Sequence, residues 1–238
     1  DMSVLFQTKG IVLSRRDHKE VDRWYSVFTK EHGKIDFLAR GGHKPLAKLT
    51  PHLEAIAEVE LLLVNGRYYE TVAGVDRVRS FSKIHKDLNR LTLAQNALHL
   101  VHMGTRPYEV DEVLYDVLTQ WLDFLESLPE ISQERSAYLL GAFTMKLIAI
   151  FGYRPELHRC LQCKSGIEKE KYLWHALKGG VVCQKCVRDH EEQYFSARPM
   201  ADATLKLIRF ALIESFEHQL RPHLSGEHLA SFHEAIES

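Results

Sequence analysis

Four cysteines fall in two pairs, Cys160-x-x-Cys163 and Cys183-x-x-Cys186, separated by residues 164–182. This is metal-ligand spacing. Each short turn directs two thiolates toward one point, and two such turns complete a tetrahedron around Zn²⁺. Four protein ligands leave no open position, so the expected role of the metal is structural. Two disulfides or four free thiols are the competing uses. The chain has no other cysteine and no basic-then-apolar leader, which favours a reduced compartment and therefore metal. Residues 172–176 and 179–182 read as two short strands, as in a zinc ribbon. His158, His175 and His190 lie close by and are read as surface histidines rather than ligands.

The second chemical signal is a concentration of positive charge. Between residues 9 and 48 stand Lys9, Arg15, Arg16, Lys19, Arg23, Lys30, Lys34, Arg40, Lys44 and Lys48, against five acidic residues. The whole chain carries a formal charge of −1, so this segment stands apart. Such charge neutralises phosphates and releases their counterions. Gly41 and Gly42, flanked by cations, would let backbone approach a ligand closely. Trp24, Tyr25, Phe28, Phe37, Tyr68 and Tyr69 could offer base-stacking platforms, though Phe28 and Phe37 read as core. A solvated face with no partner is the alternative for the basic set. The candidate nucleic-acid residues are Lys9, Arg15, Arg16, Arg23, Lys34, Arg40, Lys44 and Lys48.

Other chemistries lack their residues. The phosphate loop, the G-x-G-x-x-G turn, the G-x-S-x-G elbow and the H-E-x-x-H pair are all missing from the sequence. Asp111, Glu112 and Asp116 could suggest a carboxylate metal site, but they read as a solvated helix face. Nothing argues for an enzyme.

These groups need elements to hold them. Over residues 4–13, 24–29, 35–39, 55–64 and 68–78 the sequence is rich in apolar, aromatic and β-branched residues, and Asn65-Gly66 is a strong hairpin signal. Five short strands in so few residues predict a small closed barrel. From residue 81 the period changes. Leu88, Leu91, Ala94, Leu98 and Val101 recur at helical spacing, as do Leu114, Leu118, Trp121 and Leu125, then Leu139, Phe143, Leu147 and Ile150. After the cysteines the pattern restarts at Leu205, Ile208, Leu212 and Phe216, and continues through Leu229, Phe232 and Ile236 to the end, beyond which the natural chain is expected to run on. Apolar residues make up 45% and charged residues 26%, as in a globular protein. The charge balance excludes a uniformly basic nucleic-acid coat, and no apolar run is long enough to span a membrane.

The residues together resemble the RecO family of bacterial recombination mediators. The opening Gly10-Ile11-Val12-Leu13 with Arg16, Glu20, Asp22 and Arg23 carries part of the likeness. Residues 28–34 and Ala39-Arg40-Gly41 continue it. Gly152-Tyr153-Arg154-Pro155-Glu156-Leu157 leads into the first cysteine pair, and Gly179-Gly180-Val181-Val182 into the second. Trp24-Tyr25 stand where aliphatic residues are more usual, and the loop after Gly41 carries fewer cations than in many relatives. The resemblance implies an α+β multidomain chain. Its N-terminal five-stranded OB-fold β-barrel would span 1–80, and an all-α helical domain 81–238 would carry the four-cysteine zinc-ribbon insert at 157–192. It also implies DNA repair and homologous recombination through the RecF pathway in the bacterial cytoplasm, at the nucleoid. Single- and double-stranded DNA would be bound and complementary strands annealed without ATP or any other nucleotide. The implied partners are RecR and the C-terminal tail of single-strand-binding protein (SSB), with RecA loaded on SSB-coated strands. Lys146, Arg154 and Lys206 are candidates for the tail contact. Two other readings stand beside it: a zinc-ribbon RNA-binding factor of transcription or translation, and an enzyme with a catalytic zinc. The full four-thiolate set argues against the latter.

Overall fold

A computed structural model describes residues 5–18, 20, 22–40 and 53–237. The chain divides into two compact units, Asp1–Pro129 and Glu130–Ser238.

The first unit contains a closed barrel with strand order β1-β2-β3-β5-β4. Its strands are β1 (Leu5–His18), β2 (Asp22–Thr29), β3 (Gly33–Ala39), β4 (Glu58–Val64) and β5 (Glu70–Arg79). The barrel predicted from the sequence is therefore present. β1 serves two neighbours: its first half pairs with β4 and its second half with β2, with a bulge between Val12 and Ser14. Bulges bend a strand so that it can leave one partner for another. Gly10 lies where both pairings overlap. A Cβ there would meet Val27 Cγ1 at 2.6 Å and the Phe28 carbonyl oxygen at 2.7 Å. β1 runs five residues beyond the apolar segment that announces it. Ser14-Arg15-Arg16-Asp17-His18 has no strand signature, and pairing with β2 imposes the extended conformation. A short parallel pairing, Phe37 with Glu70 and Leu38 with Thr71, closes the barrel. Val12, Val27, Ile35, Phe37, Leu61 and Leu63 fill it, and Tyr25 stacks on Phe37 with ring centroids 5.6 Å apart.

Among the described residues this unit also holds the helices α1 (Ser82–Lys86), α2 (Leu88–Gly104) and α3 (Glu112–Ser127). Secondary structure changes near residue 80, where the sequence places a domain boundary, while compactness sets a division at 129/130. The helices belong with the barrel because they pack against its strands. Phe28 meets Tyr115 at 6.0 Å, and Lys34 reaches the end of α2. The Asp87 and Asp111 side chains cap α2 and α3 by accepting from the N–H groups of Arg90 and Leu114. Asp116 pairs with Lys30 at 2.9 Å. Asp111 and Asp116 thus have structural partners, and Glu112 is exposed in the first turn of α3.

Lys34 is only 7% exposed, and its ammonium donates to the carbonyl oxygens of His102 (2.9 Å) and Thr105 (2.6 Å). Those carbonyls end α2 and lack intrahelical donors. Lys34→Ala would strand them, and charged hydrogen bonds contribute about 1.5–3 kcal/mol each. The expected result is a lower urea unfolding midpoint at unchanged slope, corresponding to a loss of about 3 kcal/mol or more. An unaltered midpoint would show that the ammonium is not needed there.

In the second unit α4 (Gln133–Ile150) packs against α7 (Asp202–Ile213) and α8 (Gly226–Glu237). Gly141 on α4 lets Phe232 of α8 approach, because a Cβ would lie 2.5 Å from its ring. The buried Tyr138 hydroxyl donates to Gln219 Oε1 at 2.6 Å, and the Gln219 amide donates to the carbonyls of Phe210 and Glu214. Between α4 and α7 the chain forms a small sheet of order β7-β6-β8, from β6 (Tyr172–His175), β7 (Gly180–Cys183) and β8 (Arg198–Pro199), with short helices α5 (Gln184–Asp189) and α6 (Glu191–Tyr194). The sheet takes its third strand, Arg198–Pro199, from beyond the 157–192 expected for the insert. No described helix is long and apolar enough to cross a membrane.

Candidate nucleic-acid face and metal centre

The four-cysteine cluster, a candidate metal centre, is built by two backbone devices. In the first turn Cys160 N–H donates to the Ser165 carbonyl and Lys164 N–H to the Cys160 carbonyl, with Lys164 in the left-handed region at φ 61°. In the second, Cys183 ends β7 and stands as the N-cap of α5, so Cys186 follows one turn along. Leu161 N–H donates to the Val181 carbonyl and ties the two turns together. The Sγ atoms of Cys160, Cys163, Cys183 and Cys186 lie within 4.8 Å of one another. Cys163 and Cys183 Sγ are 4.0 Å apart, far beyond a disulfide bond of about 2 Å. Arms of about 2.3 Å in a tetrahedron give an edge of about 3.8 Å. The donor set therefore fits one tetrahedral thiophilic cation.

Burial and hydrogen bonding divide the thiols. The Ser165 N–H and hydroxyl hold the Cys163 thiol down at about 6, whereas burial pushes Cys186 up to about 12 and also raises Cys183. A dication at the centre would reverse the cost of burying thiolates. Val182, Tyr194 and Ala197 pack around Cys160 and Cys186.

None of the neighbouring histidines joins the cluster among the described residues. His158 is exposed, but His175 is not the surface residue expected from sequence: it is 3% exposed. It ends β6 with its ring edge against Tyr194, Nδ1 accepting from Lys178 N–H and Nε2 3.1 Å from Ser196 Oγ.

On the barrel the structure gathers some of the predicted cations and separates others. Arg15 and Arg16 are exposed on β1, opposite Tyr25 and Trp24 of β2, and both line a cavity of about 550 Å³. Arg40 is exposed at the end of β3, and its guanidinium donates to the Tyr69 hydroxyl at 2.7 Å. Tyr69 meets Trp24 edge-on at 5.2 Å, and both rings line the same cavity. Arg23 pairs with Asp17 at 3.3 Å. Lys9 lies on the part of β1 that pairs with β4 and contacts Glu58 at 3.2 Å. Lys34 leaves the set, since its ammonium is buried against backbone carbonyls. Lys44 and Lys48, with the glycines before them, lie outside the described residues.

The aromatics divide in the same way. Tyr25, Phe28 and Phe37 are buried, while Tyr68 is 83% exposed on the cavity. Sequence reading missed Tyr108, which lines the cavity from the segment after α2. Tyr108 has φ 61° and its N–H donates to the Lys34 carbonyl, so β3 places it. No local sequence signal marks that contact. Asp36, Glu70 and His102 were also missed on this cavity.

The second unit has another concave surface. Two cavities of about 340 and 260 Å³ share Trp174, Ala176, Leu177 and Ala235. Arg198 lines one, and Arg154 and Lys178 the other. The Trp174 indole N–H is buried without a hydrogen-bond partner among the described residues. Lys146 is elsewhere, donating to the Leu212 carbonyl above the Phe216 ring.

Comparison with known proteins matches this chain to two family models. Recombination protein O N terminal covers residues 2–81, and Recombination protein O C terminal covers residues 85–225. The chain is similar to the DNA repair protein RecO of Dehalococcoides mccartyi, at 28% identity over 97% of this chain and 87% of the relative. The DNA repair protein RecO of Moorella thermoacetica is 26% identical, with 95% and 83% covered. That of Pelotomaculum thermopropionicum is 30% identical, with 87% and 77% covered.

Proposed function

Because this chain belongs to the recombination protein O family, whose members act in DNA repair and recombination, we propose that it is a non-catalytic recombination mediator. It binds single- and double-stranded DNA on its barrel, anneals complementary strands without nucleotide hydrolysis, and with RecR helps load RecA on SSB-coated strands. The observation that carries the reading is the pair of exposed guanidiniums, Arg15 and Arg16, on one cavity with Trp24, Tyr68 and Tyr69. Cations contact phosphates and exposed rings stack on bases, which is how sequence-tolerant binding to single strands works. Two strands held on a neutralised surface repel one another less, and pairing speeds up. Arg23 and Arg40 extend the surface.

A structural Zn²⁺ sits on Cys160, Cys163, Cys183 and Cys186 and holds the insert of the second unit. The groove around Trp174 and Leu177 takes the acidic, apolar C-terminal tail of SSB. Arg154, Lys178 and Arg198 complement its charge, and the unpartnered Trp174 N–H supplies a donor. The protein works in the bacterial cytoplasm, at the nucleoid.

Annealing of two complementary oligonucleotides without ATP, bare or coated with SSB, tests the reading. Faster pairing in both states is expected, with acceleration fading as salt rises. A folded, metal-loaded protein that accelerates neither would overturn it, and tighter binding to RNA would favour a transcription or translation factor.

A further inference from the structure

Phosphate binding explains Arg15 and Arg16 but not the two carboxylates that share their cavity. Asp36 and Glu70 both line it, and negative charge there repels a phosphate track. Asp36 accepts from the Ser26 hydroxyl, and Glu70 stands where β5 pairs with Phe37. An ionised carboxylate is purely an acceptor, so it seeks N–H groups rather than phosphate oxygens. Two further polar atoms lack partners. Tyr25, 1% exposed, lines the cavity, and its hydroxyl is buried without a hydrogen-bond partner among the described residues. His102 Nδ1, on the same wall, is likewise unpartnered among them. Buried polar atoms left unpaired are costly unless a ligand completes them. The cavity's volume of about 550 Å³ lies within the range of small-molecule sites, roughly 300–1,000 Å³. Aromatic rings flank it.

A ligand for this place must be flat, carry adjacent N–H donors and bring phosphate at its ends. A nucleobase in a single strand has these properties. Guanine presents two neighbouring donors that match a carboxylate's two oxygens, with a carbonyl beside them for a hydroxyl donor. Thymine offers one donor between two acceptors, which would face carboxylate oxygens.

We propose that the barrel cavity holds one unstacked base of a bound single strand and prefers guanine to thymine, with Asp36 and Glu70 accepting the base N–H groups. Arg15 and Arg16 contact the flanking phosphates, so the inference rests on the nucleic-acid reading above. It adds base discrimination to a surface that phosphate contacts alone would leave indifferent.

The test compares fluorescence anisotropy of labelled oligothymidylate with that of the same strand carrying isolated guanines, which cannot form quadruplexes. The readout is the ratio of the two affinities. The expected ratio is at least about fivefold in favour of guanine, the scale of one bidentate base contact. Glu70→Gln or Asp36→Asn, each shown folded by circular dichroism, should collapse it to less than about twofold. Equal affinities in the unaltered protein would overturn the proposal, and so would a ratio that survives both substitutions. Reversal of Arg15 and Arg16 separates the two levels. If it weakens both strands while no guanine ratio exists, base reading falls and phosphate binding stands. If it weakens neither, both fall.

Discussion

Reversing Arg15 and Arg16 together to Glu should cut affinity for single-stranded DNA by at least about tenfold at moderate salt and flatten the salt dependence. The slope of log affinity against log salt falls by about 0.7 for each single-strand phosphate that is no longer neutralised. Freeing two phosphates should therefore remove about 1.4 from it. The reversal also adds repulsion, so the affinity effect exceeds that of neutral substitution. Both side chains are exposed and accept no burden of folding, which makes the variant a clean probe. Lys34→Ala is the informative contrast. Composition places it in the same basic segment, yet its ammonium is engaged by His102 and Thr105. Its loss should act on stability rather than on the salt slope. A salt titration of both variants decides the matter, and an unchanged slope after the arginine reversal would remove this face from DNA binding.

Cys183→Ser should have the larger effect on folding. The insert has strands of only four, four and two residues and a small apolar cluster around Cys160 and Cys186. Elements that short do not hold together without a cross-link or metal. Structural zinc contributes about 10–16 kcal/mol to folding of isolated zinc-finger peptides, so even a fraction of that would dominate here. The expected outcome is loss of one bound zinc per chain and a melting transition lowered by more than about 10 °C, reproduced by a strong chelator on the unaltered protein. Elemental analysis with calorimetry measures both. Full zinc content and unchanged melting in the variant would exclude the four-cysteine centre.

The cysteine cluster was legible because its spacing is local. Two x-x spacings and two short strands suffice to place four sulfurs, and they meet within 4.8 Å. The barrel was legible through its apolar strands and the change of period near residue 80. What escaped depends on residues distant in sequence. Arg15 to His18 look like loop and become strand only because β2 pairs with them. Lys34 looks like one more surface cation until α2 ends against it. Tyr108 enters the cavity through a backbone bond to Lys34, and Glu70 through the pairing that closes the barrel. His175 reads as a surface histidine because nothing near it in sequence announces Tyr194 as its cover. Charge composition marks a basic segment but cannot sort which of its cations face solvent.

β3 and β5 meet over only two residue pairs, and one of them, Phe37 with Glu70, brings a cavity carboxylate to the seam of the barrel. That pairing is made by backbone groups, so a side-chain change at Glu70 can alter the cavity while the seam stays closed. Tyr108 is likewise held by its backbone, but its left-handed φ of 61° narrows the residues that can replace it.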